Sequence, residues 1–210
     1  MDYKQQRKEI AYFMRRLYHR GLTTSSAGNV SALLEEGLIG VTAGSTDKAR
    51  IRWKDIALMN LDGEVRTPEC RPSSEVKMHT RIYQECPRVR AVVHAHPTYA
   101  STFTAAETPI NTSLIAEAHA VLGVPKVASY ARTGTDKLAD IVADCARTAH
   151  CVLLENHGIT CVGETLLEAF DRLEMLEAAA KMTIISSSLE GVRDLSPQQK
   201  AELEDYVENG

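Results

Sequence analysis

Apolar residues recur at helical spacing early in the chain: Ile10, Phe13, Met14 and Leu17 share one face over residues 4–20, and Gly21 follows as a stop signal. Shorter apolar runs come next. "LTTSSAGNVSALL" predicts a loop entering a strand, and "EEGLIGVTAGSTDKARI" a turn, a strand and a loop. "DIALMNLDGEV" predicts a hairpin turning at Asp62-Gly63. The polar stretch "RTPECRPSSE" leads into a helix over roughly 74–86, and "VRAVVHAHPTYAS" is a strand ended by Pro97. Residues 136–149 place Leu138, Ile141, Val142 and Cys145 on one helical face. "CVLLENHGITCVG" predicts strand, turn at Asn156-His157-Gly158, and strand. "TLLEAFDRLEMLEAAAKMTIISSSL" is a long helix in which Thr165 and Glu168 have capping-box spacing, while Glu168/Arg172 and Glu177/Lys181 are spaced to pair. "SPQQKAELEDYVENG" closes as a short helix.

Strands and helices interleave, which predicts α/β layers around one sheet. Several strand pairs are joined by short turns, so part of that sheet is expected to be antiparallel. Residues 1–210 show no internal repeat, low-complexity segment or linker and read as a single domain. Hydrophobic residues make up 44% and charged residues 25%, the balance of an ordinary globular protein. The formal charge of -4 gives no nucleic-acid footprint. No run of about 18 apolar residues suggests a membrane span, and "MDYKQQRKEIAYF" has no signal-peptide core. Cys70, Cys86, Cys145, Cys151 and Cys161 are odd in number and lack CxxC spacing, so they read as reduced thiols of a cytoplasmic protein, not as a structural zinc site.

The candidate chemistry begins with "VVHAHP". On a strand, His94 and His96 point to the same side, roughly 6.6 Å apart along the chain. Two imidazoles so placed can converge on one metal ion, and a third would complete a catalytic zinc set with an open position. His157, in a turn between apolar strands and followed by Gly158, is the candidate; Gly158 allows close backbone approach or positive φ. His19, His79 and His150 read as structural. In "RPSSEVKMH" the serines and Glu75 fit a plain helix N-cap; the other reading is an anion site with Glu75 beside it. "SSAGNVS" and "VTAGSTDK" are turns by composition, yet Gly28 and Gly44 allow close approach to a ligand, and Asn29, Ser26, Ser31, Ser45 and Thr46 add polar groups. No P-loop, dinucleotide fingerprint or nucleophile elbow is present.

In order, "SAGNVS", "VTAGS", "RPSSE", "VVHAHP" and "LLENHG", followed by a long helix, resemble the class II aldolase/adducin family over about residues 5–190, and within it the zinc-dependent sugar-phosphate aldolases of the L-fuculose-phosphate type. The resemblance implies a three-layer α/β/α sandwich around a mixed, mostly antiparallel sheet, and a homotetramer with interfacial active sites. It implies one Zn2+ per subunit on His94, His96 and His157. Glu75 is implied as a resting-site zinc ligand that moves off as general acid/base. Gly28, Asn29, the backbone of Ala43-Gly44, and Ser73-Ser74 are implied as the phosphate cradle. With those loops nearly uncharged, N–H groups and hydroxyls are expected to carry phosphate recognition; Lys48 and Lys77 receive no role. The implied reaction is reversible cleavage of a ketose 1-phosphate to dihydroxyacetone phosphate and a small aldehyde.

Position 43 is Ala where the family commonly has threonine, and "NTSLIAEAHAVLG" lacks the family's tyrosine acid. Glu117 or His119 is the candidate replacement, with Tyr206 of a neighbouring subunit a further one. The scaffold also serves L-ribulose-5-phosphate 4-epimerases, in which an aspartate commonly replaces the glutamate found here at Glu75. It serves dehydratases and decarboxylases as well, a reading Glu117 keeps open. Adducin-like interaction domains lack the metal histidines that this chain retains.

Overall fold

The computed structural model describes residues 3–209; Met1, Asp2 and Gly210 of the expected domain lie outside the described residues. Seven strands form one sheet: β1 (Asn29–Glu35), β2 (Leu38–Thr42), β3 (Ile56–Asn60), β4 (Ala91–Ala95), β5 (Lys126–Ala128), β6 (Cys151–Leu154) and β7 (Gly158–Gly163). Their order is β3-β2-β1-β4-β7-β6-β5, antiparallel throughout except for the parallel β5–β6 pair. The expected mixed, mostly antiparallel sheet is therefore present, with β4 at its centre.

Side chains alternate across the sheet and divide the core in two. Val93, Cys151, Leu153 and Ile159 face α1 (Lys4–His19) and the 21-residue α6 (Leu166–Ser186), joined there by α3 (Thr98–Thr102) and α4 (Ala116–Leu122). Val92, Val152, Leu154 and Val162 face α2 (Val76–Glu85) and α5 (Asp136–Ala146). This is the expected three-layer sandwich. By the same alternation His94 lies on the α2 side, two residues on from Val92. The last helix, α7 (Pro197–Asn209), packs on α4. Among the described residues no helix is long and apolar enough to cross a membrane.

Local chemistry explains where the elements depart from their expected form. Thr165 caps α6 by accepting from the Glu168 N–H at 3.1 Å, and the Glu168 carboxylate accepts from the Glu164 N–H at 2.7 Å. Glu168 also pairs with Arg172 at 2.5 Å, as the spacing suggested. Glu177 does not pair with Lys181. Its carboxylate accepts from the N–H groups of Tyr99 and Ala100 at 3.0 and 2.7 Å, capping α3, while Lys181 lies over the Tyr99 ring. Free N–H groups at a helix start compete well for a carboxylate. The serines of "RPSSE" do not cap α2 as a serine N-cap would: Glu75 holds the N-cap position, and Ser73 Oγ accepts only from the Glu75 N–H at 3.3 Å. The Asp62-Gly63 turn forms, but its return strand shrinks to the single Met59–Val65 bridge.

Candidate metal and anion site

Three histidines meet at the C-terminal end of β4. His94 is within the strand, His96 follows it, and His157 lies in the β6–β7 turn. The β4–β7 ladder pairs Ala95 with Ile159, which carries the turn histidine to the strand end. Ring centroids are 4.8 Å apart for His94–His96, 4.9 Å for His94–His157 and 5.4 Å for His96–His157, and one ligand atom from each lies within 4.8 Å of the others. Gly158 makes this approach possible. A Cβ there would stand 2.6 Å from His96 Cδ2 and 2.8 Å from the Ala95 carbonyl oxygen. Close approach is therefore the reason for the glycine; the positive φ in this turn belongs to Asn156.

Glu75, at the start of α2, faces the cluster. Its Oε1 is 3.3 Å from His157 Nε2 and its Oε2 3.4 Å from His94 Nε2. Two ligand atoms held about 2.0–2.1 Å from one tetrahedral ion stand roughly 3.3 Å apart. Glu75 Oε1 and His94 Nε2 are buried without a hydrogen-bond partner among the described residues, as expected of atoms reserved for a metal. His94 Nδ1 is bonded to Thr160 Oγ1 at 3.1 Å, which leaves the Nε2 lone pair directed at the cluster. Burial, followed by the neighbouring imidazoles, pushes the His94 and His96 pKa values down and keeps both rings in the neutral, ligating form. Donor set, burial and spacing fit a zinc-like divalent ion.

Asn29 and His79 hold Glu75 in place. A carboxylate only accepts, so Asn29 donates from Nδ2 to Glu75 Oε2 at 2.8 Å and turns its Oδ1 to His79 Nε2. His79 Nδ1 meets Ser31 Oγ at 2.7 Å, and Ser31 Oγ meets the Tyr83 hydroxyl at 2.7 Å. Burial, then the neighbouring His94 imidazole, lowers the His79 pKa to about 3. The neutral ring with its proton on Nε2 completes the chain. His79 was expected to be structural; it buttresses Asn29 and, through it, Glu75. The available signal was its position one helical turn after Glu75.

A cavity of about 630 Å³ opens beside the cluster, with Glu75 and His96 on its wall. Gly28, Asn29, Gly44, Ser73 and Ser74 line it, all residues singled out in the sequence. Ala43 does not, and the N–H groups of Ala43 and Gly44 are already bonded to the carbonyls of Asp55 and Arg71 at 2.9 and 3.2 Å. Two cations also line the cavity, Lys48 and Arg71, so the loops are not uncharged as expected. Glu117 is exposed on α4, and His119 Nε2 contacts Glu204 of α7 at 3.1 Å. Tyr206 is 75% exposed. None of the three lines the cavity. Lys77 pairs with Asp136 at 2.8 Å and ties α2 to α5.

The family model of the class II aldolase and adducin N-terminal domain matches residues 8–184. The chain belongs to the class II aldolase and adducin family. Its relatives in that family are lyases, and it is an enzyme of the same metal-dependent class. It is 31% identical over 202 residues to a 5-deoxy-D-ribulose 1-phosphate aldolase of Bacillus thuringiensis, covering 95% of this chain and 93% of the relative. It is 32% identical over 202 residues to a 3-oxo-tetronate 4-phosphate decarboxylase of Escherichia coli, covering 94% of each. The fold matches a solved L-fuculose 1-phosphate aldolase with a TM-score of 0.88 at 30% identity, over 96% of this chain and 95% of that one.

Proposed function

We propose that this chain is a single-domain, zinc-dependent aldolase that reversibly cleaves a ketose 1-phosphate to dihydroxyacetone phosphate and a small aldehyde. The observation that carries the reading is Glu75. Its carboxylate stands 3.3–3.4 Å from two ligand histidines, is held by Asn29, and borders the cavity where substrate would lie. His94, His96 and His157 would hold the metal, with Glu75 as a displaceable fourth ligand. Zinc so held supplies a Lewis acid for a carbonyl and for the negative charge that develops when the carbon–carbon bond breaks.

The protein's own groups supply the rest. Glu75 Oε1 has no competing hydrogen bond, so it is free to take or return a proton at substrate C3. Asn29 keeps Oε2 in register while Oε1 works. The small-residue loops fix the phosphoryl end, so that C3 meets Glu75 in one orientation. The aldehyde end is proposed to be completed by a neighbouring subunit of a cytoplasmic homotetramer. Glu117 and Tyr206, both exposed, and His119 are the candidate acids for it.

A second reading, decarboxylation of a phosphorylated sugar acid, is favoured by the equal likeness to the Escherichia coli decarboxylase. There Glu117 is the proposed acid. One assay separates the two: incubate L-fuculose, 5-deoxyribulose and 3-oxo-tetronate phosphates with zinc, then with chelator. Zinc-dependent release of dihydroxyacetone phosphate supports the aldolase; carbon dioxide without it supports the second reading. A variant His96→Ala that remains active without zinc refutes both.

A further inference from the structure

Lys48 is one of the largest fully buried side chains, 1% exposed, and yet it lines the cavity. Its Nζ donates to the Ala43 carbonyl at 2.8 Å and to Thr46 Oγ1 at 3.2 Å. An ammonium has three donors, and the third has no acceptor among the described residues. Lys48 forms no ion pair with any described carboxylate. A buried ammonium without a counter-charge is costly. Apart from Glu75 at the metal end, no acidic side chain lines the cavity. An anionic ligand in the cavity would supply that counter-charge.

The surrounding groups point to what enters. Gly28, Ser45 and Ser74 line the cavity, and their N–H groups have no backbone acceptor among the described residues. Away from Glu75, four serines (Ser26, Ser45, Ser73 and Ser74) and Arg71 are among the lining residues. Such a donor-rich, cationic wall suits a tetrahedral, multiply charged oxyanion. Lys48 also fastens the wall: its own N–H donates to the Ser25 carbonyl at 2.9 Å, while its Nζ holds Ala43 and Thr46. One residue thus joins the loop before β1 to the loop after β2.

We propose that Lys48 is the cationic contact for the phosphoryl group of the substrate, and so the residue that selects phosphorylated over neutral sugars. This rests on the sugar-phosphate reading above, but its test does not need turnover. Inorganic phosphate is titrated calorimetrically into the zinc-loaded full chain and into Lys48→Met, which keeps the apolar stem and removes the charge. The expected result is a phosphate Kd raised about tenfold or more, with KM for the ketose 1-phosphate rising in parallel and kcat changing less. An unchanged phosphate Kd, with or without a lower Tm, overturns the proposal and leaves Lys48 as a loop staple. Should Lys48→Met not fold, a crystal structure of the wild-type protein with phosphate decides. Nζ within hydrogen-bond distance of a phosphate oxygen supports the assignment, and phosphate seated on Arg71 or the backbone alone overturns it. A protein that binds phosphate through Lys48 but cleaves no sugar refutes the lyase reading and leaves this one standing.

Discussion

Replacing Gly158 by alanine tests the metal site through the backbone instead of a ligand. The new Cβ would meet His96 Cδ2 at 2.6 Å and His96 Nε2 at 3.2 Å. The first is about 0.9 Å inside the ~3.5 Å of ordinary carbon contact. The methyl cannot back away, because the Ala95 carbonyl oxygen is 2.8 Å from it on the same strand end. The His96 ring has to move instead. A ligand displaced by several tenths of an ångström exceeds the ~0.2 Å tolerance of a metal–ligand bond. We expect zinc affinity to fall by about 10- to 100-fold and the metal-free protein to lose about 1–3 kcal/mol from overpacking. Competition with a calibrated zinc chelator gives the first number and urea unfolding in excess chelator the second. A Gly158→Ala protein with wild-type zinc affinity would show that His96 is not held where the structure places it.

Glu75→Gln should keep the metal histidines and the bond from Asn29 but lose the proton acceptor; turnover falls by about 10² or more while zinc content, measured by atomic absorption, stays near one per chain. His79 supplies a pH signature. Its folded pKa of about 3 is below the 6.5 of an ordinary histidine, so the unfolded chain binds the extra proton first. Metal-free stability should therefore be complete above about pH 6.5 and fall by up to about 1.4 kcal/mol per unit as pH drops from there toward 3. His79→Gln should flatten that slope, and denaturant melts from pH 7 to 4 would expose a failure. Glu177→Ala removes the cap of α3 just after His96-Pro97; a loss of about 1–3 kcal/mol with weaker zinc binding is expected by thermal and chelator titrations. Thiol blocking should leave activity intact, because burial raises the pKa of Cys70, Cys86, Cys145 and Cys161 and keeps those thiols protonated.

The metal cluster was legible because its information is local. Strand alternation puts His94 and His96 on one side whatever the rest of the chain does, and Gly158 marks the close approach. The large helices and six of the strands were equally plain from their periods. The segment 97–135 was not. β5 is three residues long with Lys126 and Val127 exposed, and α4 is seven residues ended by Gly123 at positive φ. Neither is long enough to establish a period. The roles of Lys48, Asn29 and Glu177 were hidden for another reason. Each is decided by which distant group a flexible polar side chain meets, namely the carbonyl of Ala43, the carboxylate of Glu75 and the N–H groups of α3. Spacing alone carries no record of such partners.

The pairing of β4 with β7 joins residues more than 60 positions apart, and it sets the distance between the ligands from the two ends of that span. Contacts of such separation form late, because the intervening chain must first be closed into a loop. A refolding chain should therefore remain blind to zinc until the centre of the sheet is zipped. Metal capture would then act as a clock for the last central pairing event, with added zinc slowing unfolding while leaving the early folding rate unchanged.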